Sequence, residues 1–356
     1  MVSMALGPTG DALLTEAARA AATATAGLPF IPSTLDLAKL LGPQRLPGTA
    51  APDVVGAFRF LCGPGQVLPD DPIVYPGQAG KAHLHQFFGN LGANANSTYA
   101  SLRTTGESTC TNELNRSAYW MPALLDGKGN AVRPDFVSIY YKRRPKTDPA
   151  CTKVAKACVD IPRGFRLIFG WDQTRPKDAQ PENTAKFSFK CVANGHPVSA
   201  TVPNMAEALK VCKVGQQLTA VIATPICWDG VNLDSPNHRS HTSDAISSGC
   251  PKTHPYWIPQ FTMGVQWTIA AGDDPTKWML ASDHMKPGAK AGETFHSDYF
   301  EAWEEVARTR WHAGCINKLL NCSDGDLGDG QIMTRGKWYP KGIANPRLVA
   351  APAMRM

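Results

Sequence analysis

Ten cysteines, none of them in a CxxC pair, restrict what this chain can fold into more than any other feature. They fall at Cys62, Cys110, Cys151, Cys158, Cys191, Cys212, Cys227, Cys250, Cys315 and Cys322. Structural zinc ribbons and thioredoxin-type sites place two thiols about two residues apart, so neither is expected here. An even number of thiols scattered among Gly- and Pro-containing loops predicts disulfides formed in an oxidising compartment. Cys151 with Cys158, and Cys315 with Cys322, are near enough to close small loops, while spacing alone leaves the connectivity open. The expected location is therefore secreted or extracellular. No basic region followed by an apolar one opens the N-terminus, which predicts that a signal has been removed or the start truncated. No apolar run reaches the roughly 18 residues of a transmembrane helix.

The rest of the composition agrees with a loop-rich β protein. Among 356 residues there are 29 prolines and 31 glycines, which favours turns over long helices, and 43% are apolar, enough for a sizeable core. The net charge of +6 is mild, and no basic block marks a nucleic-acid partner. The densest cluster, Lys142, Arg143, Arg144 and Lys146, is expected to be a solvated loop.

Short β-branched and aromatic runs bounded by turn residues predict strands at residues 136–142 (FVSIYYK), 165–171 (FRLIFGW), 186–191 (KFSFKC), 218–227 (LTAVIATPIC) and 258–269. Helices are expected over residues 10–26 and 33–41. The clearest is expected over residues 297–313, where Asp298 and Glu301 begin the segment, Arg308, Arg310 and His312 end it, and Gly314 follows. The fold class is mainly β: a single β-sandwich or jelly-roll-like domain with long irregular loops, one or two covering helices and several disulfides. Residues 1–55 read as an Ala-rich leader or linker, 56–325 as the domain, and 326–356 as a C-terminal tail.

Seven of nine histidines lie in five compact polar motifs: His83 and His85 in GKAHLHQFFGN, His238 and His241 in DSPNHRSHTSD, His254 in CPKTHPYW, His284 in ASDHMKPG and His296 in TFHSDYFEAW. On an extended segment His83 and His85 project to one face, so both rings reach one metal ion, phosphate or sugar. Asp70 and Asp71 are candidates to orient an imidazole. Cys227-Trp228-Asp229-Gly230, Asp234 and His238-Arg239-Ser240-His241 crowd an indole, carboxylates, imidazoles and a guanidinium into one stretch. Such a mixture suits a sugar subsite, although the same residues also make a turn. Asp298 is as readily a helix cap as a catalytic group. There is no GxSxG elbow, HExxH helix, P-loop or GxGxxG after a strand.

The ordered motifs DDPIVYPGQAGKAHLHQFFGN, STYASL, STC, SAYWMPAL, CWDGVNLDSPNHRSH, GCPKTHP and HSDYFEAW resemble the secreted domain-of-unknown-function family nineteen-ninety-six of fungi and bacteria, over roughly residues 58–322. The resemblance implies export and, because members are often fused to WSC or cellulose-binding modules, contact with polysaccharide or cell wall. Its family-like positions are Asp71, His83, His85, Gly89, Trp120, Trp228, Asp229, His238, His241, His254, His296 and Asp298. Ser297 and Ala302 stand where the usual fungal pattern has glycines.

Three readings follow. The first is a secreted carbohydrate-active enzyme, a glycoside hydrolase or polysaccharide lyase, cleaving a polysaccharide or cell-wall glycan. Its catalytic candidates are His83, His85, Asp229, His241, His296 and Asp298, and its substrate-binding candidates Asp71, Trp120, Trp228, Arg239, His238 and His254. Hydrolysis would use paired carboxylates, Asp229 and Asp298, whereas elimination would use an imidazole base. The second is a hydrolase or oxidoreductase holding a divalent transition metal, zinc or copper, with His83, His85 and His241 as ligand candidates. The third is a non-catalytic glycan-binding wall protein, with Trp120, Trp228 and Trp257 stacking on sugars. His83, His85, His238, His241 and His296, with Asp229 and Asp298, are expected to line one cleft.

Overall fold

A computed structural model describes residues 26–43, 48–175, 180, 187–338 and 346–351. Its frame is ten strands: β1 Gly56–Cys62, β2 Pro64–Leu68, β3 His85–Gly89, β4 Ala118–Pro122, β5 Phe136–Arg143, β6 Arg166–Gly170, β7 Phe187–Ala193, β8 Gln217–Ala223, β9 Gln260–Thr268 and β10 His296–Phe300. They form two sheets. One is five-stranded and antiparallel, in the order β6-β10-β4-β3-β2. The other is eight-stranded. Its centre runs β7-β8-β9-β5-β1, and short strands at 196–197, 320–322 and 49–50 extend its two edges.

The sheets pack face to face because their strands alternate. β5 and β9 bury every second residue, as a strand with one face on a core must. Tyr119 and Tyr299 of the five-stranded sheet stack on Phe261 of the other, with ring centroids 5.6 and 4.9 Å apart. One large core lies between them. The five-stranded sheet is covered on its far face too. There Phe87, Ala118, Trp120, Ile168 and Phe300 form a second, smaller apolar cluster with Ile73, Tyr99 and Leu102. The mainly β sandwich expected from the sequence is what forms.

All ten cysteines pair: 62–110, 151–158, 191–212, 227–250 and 315–322. Both small-loop pairs suggested by spacing are among them. No helix among the described residues is long and apolar enough to cross a membrane.

Three local expectations need correction. The segment expected to open a helix at residue 297 is strand β10, and only Glu305–Trp311 is α-helical, continuing into a wider turn over His312–Ile316. β10 is buried on both faces, so it shows none of the alternation that marks a strand. Residues 33–41 hold one helical turn, Leu37–Leu40; the helix expected over 10–26 lies almost wholly outside the described residues. In the basic cluster Lys142 and Lys146 are exposed as expected, but Lys142 and Arg143 end strand β5 and Arg143 is fully buried, donating to the Val159 carbonyl and Asn317 Oδ1. Beyond residues 56–325, Leu41–Pro43 pairs with Gln331–Met333, and Leu348–Ala350 pairs with Asn130–Val132.

Candidate metal centre

The site lies at one end of the five-stranded sheet, on the face carrying the smaller apolar cluster. His85 begins β3 and His296 begins β10, and β4 runs between them. Register places Phe87, Trp120, Asp298 and Ile168 in one row across β3, β4, β10 and β6. Two residues along each strand, on the same face, come His85, Pro122, His296 and Gly170. Gly170 has φ +92°, and a Cβ there would sit 2.9 Å from the His296 Cα and 2.7 Å from the Phe295 carbonyl oxygen. The backbone can approach His296 this closely only as glycine.

His83, just before β3, folds its ring onto both others. Ring centroids are 4.2 Å apart for His83 and His85, 5.2 Å for His83 and His296, and 6.3 Å for His85 and His296. One nitrogen from each ring lies within 4.8 Å of the other two. Around a zinc ion with bonds of about 2.1 Å, tetrahedral nitrogens are roughly 3.4 Å apart, so a small closure of the rings suffices.

The backbone fixes two of the three rings. His85 Nδ1 is 2.9 Å from the Asp70 carbonyl and His296 Nδ1 is 2.9 Å from the Thr294 carbonyl. A carbonyl only accepts, so each Nδ1 carries the proton and each Nε2 keeps its lone pair. The Nε2 atoms of His83 and His85 are buried without a hydrogen-bond partner among the described residues. Carboxylates stiffen both carbonyls. Asp70 accepts from Gly80 N and Ala95 N, and Asp283 accepts from the backbone N–H and hydroxyl of Thr294. Of the two candidate orienting residues, Asp70 does so through its main-chain carbonyl, and Asp71 does not.

Burial holds all three imidazoles neutral. His85 is pushed down to about 3 by burial and then by the adjacent His296, against the Asp70 carbonyl. Burial first, and then His85, takes His83 well below the usual range; for His296 the order is burial, then His83. Three neutral rings with converging lone pairs are what a transition metal binds.

The cluster opens on a cavity of about 1350 Å³, lined among others by His83, His296, Asp298, His238 and Arg239. Asp298 is 1% exposed, and neither carboxylate oxygen has a partner among the described residues. Burial and then the Asp71 charge raise its pKa far above the carboxylate range, against Arg239. Asp71 also lines the cavity, but its Oδ1 accepts from Ile73 N and Val74 N. His238, at φ +57°, is held by Asp234, with Nδ1 2.9 Å from Oδ1.

Other candidates are placed elsewhere. His241 lines no part of this cavity: Nε2 meets the Arg166 carbonyl at 2.7 Å and Nδ1 meets Ser235 Oγ at 2.9 Å, leaving no nitrogen for a metal. Asp229 closes a turn, accepting from Val231 N, Asn232 N and Asn232 Nδ2. His254 bridges Thr253 Oγ1 and the Ser240 carbonyl. Trp120 and Trp228 are fully buried in the two apolar clusters and offer no face to a sugar; Trp257 is half-buried and outside the cavity. The expected single cleft therefore takes His83, His238, His296 and Asp298, with His85 behind them, and leaves out His241 and Asp229. The indole and phenol that do line it, Trp171 and Tyr75, were missed. Trp171-Asp172 repeats the Trp-Asp pairing of Trp228-Asp229, the one signal that pointed to it. Ser297, at a glycine position of the fungal pattern, turns to the core side and donates to the Trp120 carbonyl at 2.8 Å.

A substitution separates the two kinds of histidine. His241→Ala should leave zinc affinity within about twofold and lower stability by roughly 1–3 kcal/mol through the carbonyl and hydroxyl it strands. Calorimetric zinc titration and denaturant unfolding measure both; a large loss of zinc affinity would return His241 to the centre.

Among known proteins, a family model described as a domain of unknown function (DUF1996) matches residues 71–303. No curated protein and no solved structure matches the chain.

Proposed function

The chain belongs to the DUF1996 family, whose description names no reaction, and from its cavity we propose an exported, metal-dependent enzyme acting on a glycan chain. One observation carries this reading: three neutral imidazoles converge their nitrogens within 4.8 Å at the edge of a large cavity. Three histidines are a common catalytic zinc set that leaves a further coordination position for water or substrate. A bound zinc or copper ion would supply Lewis acidity and an activated water. The protein's own residues do the rest. The Asp70 and Thr294 carbonyls orient the ligands. His238, held at Nδ1 by Asp234, has its other nitrogen available to take or return a proton.

The glycan reading is supported by cavity size and by the family's company. At about 1350 Å³ the cavity exceeds the roughly 300–1,000 Å³ of ordinary small-molecule clefts. Five disulfides suit an extracellular setting. The Asp229–Asp298 carboxylate pair considered for metal-free hydrolysis is not assembled, because Asp229 is spent on its own turn.

Metal analysis of protein purified without a histidine tag tests the centre. The expected result is about one equivalent of zinc or copper, removed by chelation and restored on re-addition. Protein that neither retains a metal nor binds zinc or copper at micromolar concentration sinks the reading.

A further inference from the structure

We propose that a second pocket, beside the histidine-lined cavity, binds a small organic anion: a monocarboxylate whose apolar body fills the pocket and whose carboxylate sits on Arg166. Strand register builds the floor. On the sheet face that carries the histidines, Arg166 of β6 pairs with Phe300 of β10, four residues along from the Gly170–His296 pair. Over that end of the face, Leu28, Ile31, Pro72, Pro76, Tyr99 and Phe300 wall a cavity of about 500 Å³, the size of an ordinary small-molecule cleft. The segment after Asp71 divides the two spaces. Val74 and Tyr75 line the larger, and Pro72 and Pro76 the smaller.

Among the described residues that line this pocket, Arg166 is the one charged side chain. A guanidinium keeps its charge and carries five N–H donors in a planar fork. No hydrogen bond joins this one to the described residues, and its Nε is buried without a partner. The carboxylate nearest to it, Asp234, stands 3.5 Å away and already accepts from His238 Nδ1 and the Ser235 N–H. Neighbouring arginines are engaged within the chain. Arg103 donates to the Ile31 carbonyl and Glu304, Arg163 to the Leu28 carbonyl and Glu305, and Arg308 to the Ile161 carbonyl and Glu305. The Arg166 guanidinium instead lies over the Phe300 ring, 5.2 Å from its centroid, and its side chain is 35% exposed.

Apolar walls around one unengaged fork call for a ligand with both parts. A carboxylate accepts two parallel N–H bonds from a guanidinium. A hydrocarbon body displaces water from the proline and aromatic surface. A neutral molecule leaves the charge unanswered, and a bare anion leaves the walls wet.

Calorimetry on the full chain tests this. The probes are cinnamate and octanoate, with cinnamamide and octanamide as neutral counterparts and acetate as an anion without a body. At least one of the two long carboxylates should bind with a dissociation constant below about 1 mM, roughly tenfold or more tighter than its amide and than acetate. Arg166→Gln should weaken that carboxylate roughly ten- to hundredfold. Leu28→Asp sets a like charge in the pocket while the backbone N–H and carbonyl of residue 28 stay on Arg163, and should weaken it about tenfold or more. Binding of neither carboxylate, equal binding of the amide or of acetate, or unchanged binding in either variant overturns the proposal. Unchanged binding in Arg166→Gln would place the anion in the larger cavity, which Lys81 and Arg239 line. Leu28 lies outside both sheets and is 36% exposed, so its variant reads the pocket even where Arg166→Gln does not fold. The pocket requires neither a metal nor a glycan, so failure of the function proposed above leaves this result to stand or fall by itself.

Discussion

Replacing His296 by alanine will strip the protein of its metal, raising the dissociation constant for zinc roughly a hundred- to a thousandfold. Structural zinc sites contribute about 10–16 kcal/mol through four ligands, hence roughly 2.5–4 kcal/mol for each. His296 is the ligand that joins the two halves of the site. His83 and His85 come from one short segment, and only β10 brings a third ring to them. Its Nδ1 contact to Thr294 also fixes the tautomer, so a mobile side chain nearby cannot take its place. Direct zinc titration of H296A beside H241A checks this. Affinity within a few-fold of the parent in H296A would show that the three rings do not share an ion.

The second large effect concerns the fold. Removing the 62–110 disulfide as the double variant C62A/C110A should lower unfolding free energy by about 4 kcal/mol on the chain-entropy account. Of the five bridges it closes the longest loop, a separation of 48 residues against 23 for the next. Both half-cystines are fully buried, so lost packing adds to the effect. Against the roughly 5–15 kcal/mol that holds a typical domain together, this is a large fraction. Denaturant unfolding of the variant measures it. A loss under about 1 kcal/mol would mean that the bridge constrains little that the strands do not already hold.

How much of this was legible depended on whether a segment meets one environment or two. β5 and β9 have one face on the core, so their alternation is written in the sequence. β10 has a core on one face and a cavity on the other, and HSDYF carries no period to read. Its acidic start and the basic residues after it imitate a helix, and the real helix begins only at Glu305. The histidine pair of β3 was legible because spacing two is a property of the extended chain itself. The third ring was legible as a member of the same cleft but not as a ligand beside the pair, since only the register of β3, β4 and β10 brings it close. His241 failed for a different reason. It sits three residues from His238 in one polar motif, yet a turn points one ring at the cavity and the other at the Arg166 carbonyl. The buried indoles failed through chemistry, because Trp228 spends its N–H on the Asn232 carbonyl inside the core and not on a sugar.

β10 places residues of different duty side by side. His296 and Asp298 turn to the cavity, while Ser297 and Tyr299 turn to the sandwich core. Divergence within this architecture therefore has separate channels. Exchanges at the outward positions retune which ion or ligand is held, and exchanges at the inward ones trade in packing, so a lineage can change its chemistry without first loosening its frame.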